Sequence, residues 1–74
     1  MQNTNIHVDY AELTAQVKYK YKTVTNFAKI WGVSLTSMRK KLNGDVDLKH
    51  SEEVKFIELL GLDPVHAFNI FYAM

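Results

Sequence analysis

Arg39, Lys40 and Lys41 stand in a row behind Ser34, Leu35, Thr36 and Ser37, and Asn43 follows two residues later. These side chains are fixed cations, hydroxyls and an amide. Clustered ammonium and guanidinium groups bind phosphate by releasing its counterions. Hydroxyls and amides beside an arginine can hydrogen-bond the edges of bases. A run of charge is also the ordinary makeup of a solvated helix face. The surroundings decide between the two. No acidic residue occurs between Leu13 and Gly44, and that stretch holds seven of the nine basic residues, with Lys18, Lys20, Lys22 and Lys29 joining the run. The formal charge is −2 before this stretch, +7 within it and −4 after it. The four outlying lysines can flank a phosphate-binding face. Those near the end of the first helix can equally serve its C-terminal dipole.

Other chemistries find no footing. The chain has 74 residues and no cysteine, so thiolate metal sites and disulfides are excluded. His7, His50 and His66 lack the spacing of metal ligands. The run His50-Ser51-Glu52-Glu53 has acid–base residue types but reads as the first turn of a helix. There is no glycine-rich phosphate loop and no nucleophile elbow. Neither enzymatic activity nor a metal or cofactor is expected. The polar N-terminus has no signal-peptide pattern, and no apolar run approaches the roughly 20 residues of a membrane helix. A cytoplasmic protein without a membrane partner is expected.

The elements that position the basic run read as all-α. Five short helices are predicted in one domain over 9–74, after a loose N-terminal arm over 1–8. Asp9 caps the first helix, with Glu12 at capping-box spacing and Tyr10, Leu13, Val17 and Tyr21 inward. Thr23 caps the second, whose apolar side is Phe27, Ala28 and Trp31 and which Gly32 ends. Trp31 is expected in the core. Ser34 caps the third, with Met38 and Leu42 inward and Asn43-Gly44 as its stop. The fourth runs from about His50 to Leu60 with three candidate caps, Lys49, His50 and Ser51. Its inward set is either Val54, Ile57 and Leu60 or Phe56 and Leu60. Asp63-Pro64 restarts the chain into a fifth helix that runs to the end with Val65, Phe68, Ile70, Phe71 and Tyr72.

The second and third helices, joined through Gly32-Val33-Ser34, fit a helix-turn-helix. Ala28 allows close approach and Phe27, Val33, Met38 and Leu42 form the seam. At these residues the sequence resembles the lambda-repressor/Cro-like family of phage regulators. The segments VDYAEL, NFAKIWGVS, KLNGDVDLK, ELLGL and IFYAM extend the likeness over nearly the whole chain, toward very short Cro-like proteins of lysogeny modules. The resemblance implies a five-helix lambda-repressor-like domain whose third helix lies in the major groove of duplex operator DNA. It would place Leu35, Thr36 and Lys40 at base edges and Asn43 near the backbone. A helical wheel with Met38 and Leu42 inward sends Thr36 and Lys40 outward, flanked by Ser37, Arg39 and Asn43, and sets Leu35 at the stripe's edge.

Two positions depart from the family pattern, Val24 and Leu35, where glutamine and a polar residue are common. Leucine can only pack on a thymine methyl, so direct readout falls to Thr36, Arg39 and Lys40. Neutralising five or six phosphates would give a salt slope near −5, about. The expected function is operator binding in a lysogenic switch, as a homodimer. The alternative is an anti-repressor that covers the DNA-binding domain of the cognate phage repressor through the same surface. The apolar end His66–Met74 reads either as core or as an interface.

Overall fold

The computed structural model describes residues 8–72. Among them the secondary structure is entirely helical: α1 Tyr10–Tyr21, α2 Val24–Trp31, α3 Leu35–Asn43, α4 His50–Leu60 and α5 Pro64–Phe71.

Caps and breaks set the boundaries. Asp9, Thr23, Ser34 and Asp63 each accept the N–H three residues on, from Glu12, Asn26, Ser37 and His66. α4 begins differently. Lys49 has no acceptor to offer, and Glu52 reaches back to its N–H at 2.9 Å, so only the reverse half of a capping box exists. α1 lacks that reverse half. The Asp9 N–H donates to the Ile70 carbonyl at 2.7 Å, and the Glu12 carboxylate accepts from the Gln16 amide instead. The predicted reciprocal box at Asp9 is therefore a one-sided cap. Gly32 ends α2 at φ 95°, a conformation that a side chain would strain.

The core is one cluster drawn from every helix: Leu13 and Val17, Phe27 and Ala28, Met38 and Leu42, Phe56 and Leu60, Ile70 and Phe71. Val8 and Leu48 complete it from outside the helices. Val8, expected in the loose arm, is buried, and the Asp9–Ile70 hydrogen bond beside it straps the segment before α1 to α5. The rest of that arm, 1–7, lies outside the described residues. Phe56 sits at the centre, with ring centroids 5.8 Å from Phe27, 4.6 Å from Trp31 and 6.1 Å from Phe71. This fixes the inward set of α4 as Phe56 and Leu60. Val54 is exposed and Ile57 half-buried. Trp31, expected in the core, lies half-buried at its rim. The Lys55 ammonium stands 4.9 Å from its ring centroid, a cation–π contact. Tyr21 ties the ends of α1 and α4 together by donating to the Leu59 carbonyl at 2.6 Å. α5 stops at Phe71, short of the predicted chain end.

Candidate anion-binding cleft beside α3

α3 buries Met38 and Leu42 and exposes Thr36, Ser37, Arg39, Lys40 and Asn43. The outward wheel read from the sequence is thus the face that solvent reaches. Leu35 is half-buried, as its edge position implied. Ser34 and Ser37 are held locally: the Ser34 hydroxyl oxygen accepts the Ser37 N–H, and the two hydroxyls lie 3.1 Å apart. They shape the start of α3 more than they reach outward.

Successive helical residues turn by about 100°, so the basic run cannot share one face. Lys41 turns inward. Its ammonium donates to the Glu52 carboxylate at 2.6 Å and lies 6.0 Å from the Trp31 ring centroid. Its side chain is 15% exposed, which removes it from the flanking basic set. Burial pushes the Glu52 carboxyl up, but hydrogen bonds from Lys41 and the Lys49 N–H, with the charges of both lysines, outweigh it and hold the carboxyl below its ordinary range.

Arg39 turns the other way. With Leu42 and Asn43 it forms one wall of an open cleft of about 550 Å³, whose other walls are Thr14, Lys18 and Lys22 of the α1 side and Thr23, Val24 and Thr25 at the start of α2. Two of the flanking lysines thereby join the α3 site. Lys20 does not: its ammonium lies on the far flank by Gly61, in a second recess with Tyr19 and His66. Lys29 is exposed in the last turn of α2, where it complements the dipole. Sequence reasoning passed over Thr14, Thr23 and Thr25 as lining residues. Part of the signal was present in the i, i+4 pair of Thr14 and Lys18 along α1, with Lys22 just past its end.

The join between α1 and α2 is strained at Lys22. Its φ is 73° and ψ −46°, the sole positive φ outside glycine among the described residues. The Tyr21 carbonyl accepts the Thr23 N–H at 2.8 Å, which closes a γ-turn centred on Lys22. The same carbonyl accepts the Asn26 side-chain amide at 2.9 Å, while the Thr23 hydroxyl accepts the Asn26 N–H. Three hydrogen bonds thus hold a conformation that lysine avoids, and its side chain lines the cleft.

The lining carries three cations, an amide and three hydroxyls, and no carboxylate. The N-terminal turn of α2, the positive end of its dipole, opens there too. Such a surface can hold an anion by charge and hydrogen bonding. The acids lie elsewhere. His50 and His66 pair with Glu53 and Asp63 in the first turns of α4 and α5, at 3.7 and 3.1 Å. Asp63 is held below the ordinary range, first by the His66 N–H and then by its ring. Tyr10, whose hydroxyl is buried with no hydrogen-bond partner among the described residues, is pushed up to about 12 by burial and by Asp47 and Glu53.

Fold and site together define a small all-helical domain with a cationic cleft against its third helix. The sequence profile of a family described as "Protein of unknown function (DUF739)" matches residues 6–73, and the chain belongs to that family. No curated protein matches it. Among the described residues no helix is long and apolar enough to cross a membrane.

Proposed function

We propose that this chain is a helix-turn-helix regulator that binds duplex operator DNA through α3, with a backbone phosphate in the adjoining cleft. The observation that carries the reading is the cleft itself: Lys18, Lys22, Arg39 and Asn43 converge beside the exposed face of α3 with no carboxylate among them. Thr36 and Lys40 would read bases, Arg39 would hold the phosphate in the cleft, and the α2–Gly32–Val33–Ser34–α3 unit would be the recognition motif. The resemblance to phage regulators points to an operator in a lysogeny switch.

The structure lowers the expected salt dependence. With Lys41 paired, Lys20 on the far flank and Lys29 in the last turn of α2 outside the cleft lining, Lys18, Lys22, Arg39 and Lys40 remain, so about four phosphate charges neutralised per chain give a slope of log K on log salt near −3.6, roughly. Fluorescence anisotropy with labelled duplex DNA between about 20 and 200 mM salt measures it. A slope below about 1 in magnitude, or no binding at the low-salt end, would refute the reading. The anti-repressor alternative would then gain, although a half-buried Leu35 makes a poor protruding anchor for it.

A further inference from the structure

Asn26 stands at the third position of α2, where a capping-box residue would turn back to accept the N–H of the cap. It does not do so. The Thr23 N–H is already given to the Tyr21 carbonyl, at 2.8 Å. The Asn26 side-chain amide donates to that same carbonyl, at 2.9 Å. An ionised aspartate or glutamate here would suit the positive end of the α2 dipole but has no hydrogen to give. The residue type therefore answers to the Tyr21 carbonyl and not to the helix.

That carbonyl belongs to the peptide joining Tyr21 to Lys22, so its direction constrains φ of Lys22, which stands at 73°. The bonds around the turn have different sources. The Thr23 N–H bond is the γ-turn itself, and the Lys22 N–H closes the end of α1 on the Lys18 carbonyl. The Thr23 hydroxyl serves the first turn of α2 by accepting the Asn26 N–H. The Asn26 amide is the brace that reaches the turn from outside it. One such hydrogen bond and the strain of one left-handed residue are of similar size, so removing the brace can tip the turn.

We propose that Asn26 is a positioning residue for the cleft: its amide holds the Tyr21 carbonyl, and through it the left-handed Lys22 that puts a cation in the cleft wall. Asn26 is exposed and is not among the cleft-lining residues, so it acts through Lys22. Without the brace Lys22 falls back to a negative φ, and its side chain parts from Lys18 and Arg39. The DNA readout of this inference rests on the phosphate reading of the cleft; its melting and NMR readouts do not.

Asn26→Ala in the full chain tests this. Alanine keeps the α2 cap, because the Thr23 hydroxyl binds the backbone N–H of residue 26, and it is the better helix former. In the parent, NMR should show a strong amide-to-α-proton NOE within Lys22, the mark of a positive φ. In Asn26→Ala that NOE should weaken. Lys22→Gly should raise the melting temperature of the parent but leave or lower that of Asn26→Ala, whose Lys22 has no strain left to relieve. Asn26→Asp, of the same shape without the donor, should repeat both results. With labelled duplex DNA, Asn26→Ala should lower the salt slope by about 1 in magnitude, and adding Lys22→Ala should lower it no further. An equal melting gain from Lys22→Gly in both backgrounds overturns the proposal. So does an undiminished NOE in Asn26→Ala, a slope that Asn26→Ala leaves at the parent's value, or a second fall in slope on adding Lys22→Ala. A parent that binds no DNA, with melting and NMR as expected, would end the phosphate reading and support the hold of Asn26 on Lys22.

Discussion

Replacing Lys22 by glycine should stabilise the protein and weaken its hold on anions, two effects of opposite sign from one change. Lys22 sits at φ 73° in the γ-turn between α1 and α2. Strain of this kind costs about 1–3 kcal/mol for a residue with a Cβ. Glycine removes that cost but adds about 0.5–1 kcal/mol of chain entropy to be lost on folding. Both backbone hydrogen bonds of the turn, Lys22 N–H to the Lys18 carbonyl and Thr23 N–H to the Tyr21 carbonyl, survive the change. The lysine side chain is exposed, so little packing goes with it. The two ranges leave a balance of about 0–2.5 kcal/mol in favour of Lys22→Gly, about 1.25 kcal/mol at their midpoints, or a melting temperature higher by roughly 5–10 °C in a domain this small. Lys22→Ala separates the two effects. It keeps the strain and loses the charge, so its stability should match the parent. Both variants should lower the DNA salt slope by about 1 in magnitude, since each removes one of about four cations. Thermal and urea unfolding give the first quantity, and an anisotropy salt titration gives the second. If Lys22→Gly is less stable than Lys22→Ala, the strain argument fails. If it is more stable but binds DNA with the parent's slope, the cleft is not where phosphate sits.

Glu52→Gln should cost about 1–2 kcal/mol near neutral pH, because it leaves the Lys41 ammonium, only 15% exposed, without its countercharge. The folded Glu52 carboxyl is depressed, so this contribution is present above the ordinary carboxylate range. It is lost as pH falls through the folded value, and urea unfolding of both proteins at neutral and acid pH should show their stabilities converge. Met38→Ala should cost about 2–5 kcal/mol by opening a cavity where the side chain is fully buried. Thr36→Ala and Lys40→Ala, both exposed, should stay within about 0.5 kcal/mol of the parent in unfolding, yet each should narrow its preference for specific DNA by about 1–3 kcal/mol.

The helices were legible because their ends are written locally. Asp9, Thr23, Ser34 and Asp63 are short polar side chains that reach the third N–H ahead, and glycine stands where α2, α3 and α4 stop. The α4 start was ambiguous because Lys49 has no acceptor, and its cap comes from Glu52 downstream. The α4 inward set needed tertiary information. Phe56 wins over Val54 because Phe27, Trp31 and Phe71 surround it from two other helices. The burial of Val8 is tertiary in the same way: it joins a core cluster drawn from all five helices, and the neighbouring Asp9 N–H is held by the distant Ile70 carbonyl. At the site, the outward face of α3 followed from period alone. The cleft did not, because it requires α1, the start of α2 and α3 to meet, and Lys18 and Arg39 are far apart in sequence. The apolar end divides in two: Ile70 and Phe71 close the core, while Phe68 and Tyr72 face out.

The basic run that drew attention first shows how a linear charge pattern becomes a spatial one. Arg39, Lys40 and Lys41 span about 200° of helix, so folding must send them to different fates. Arg39 goes to the cleft, Lys40 to solvent, and Lys41 to Glu52. The acid that takes Lys41 belongs to the −4 segment of the chain, and taking it fastens that segment to the inner side of α3. Had Glu52 met Arg39 instead, a carboxylate would stand in the cleft and oppose any anion there. The pairing that is made costs the cationic surface one lysine and keeps the cleft free of acids, because Glu52 is also held to the start of α4 by the Lys49 N–H. One carboxylate therefore caps α4, neutralises the inward lysine and fixes which flank of α3 remains positive. Glu52→Lys illustrates the same logic in reverse: it would set two ammonium groups against each other beside Trp31, and the repulsion would fall on the α3–α4 contact and leave the chemistry of the cleft as it is.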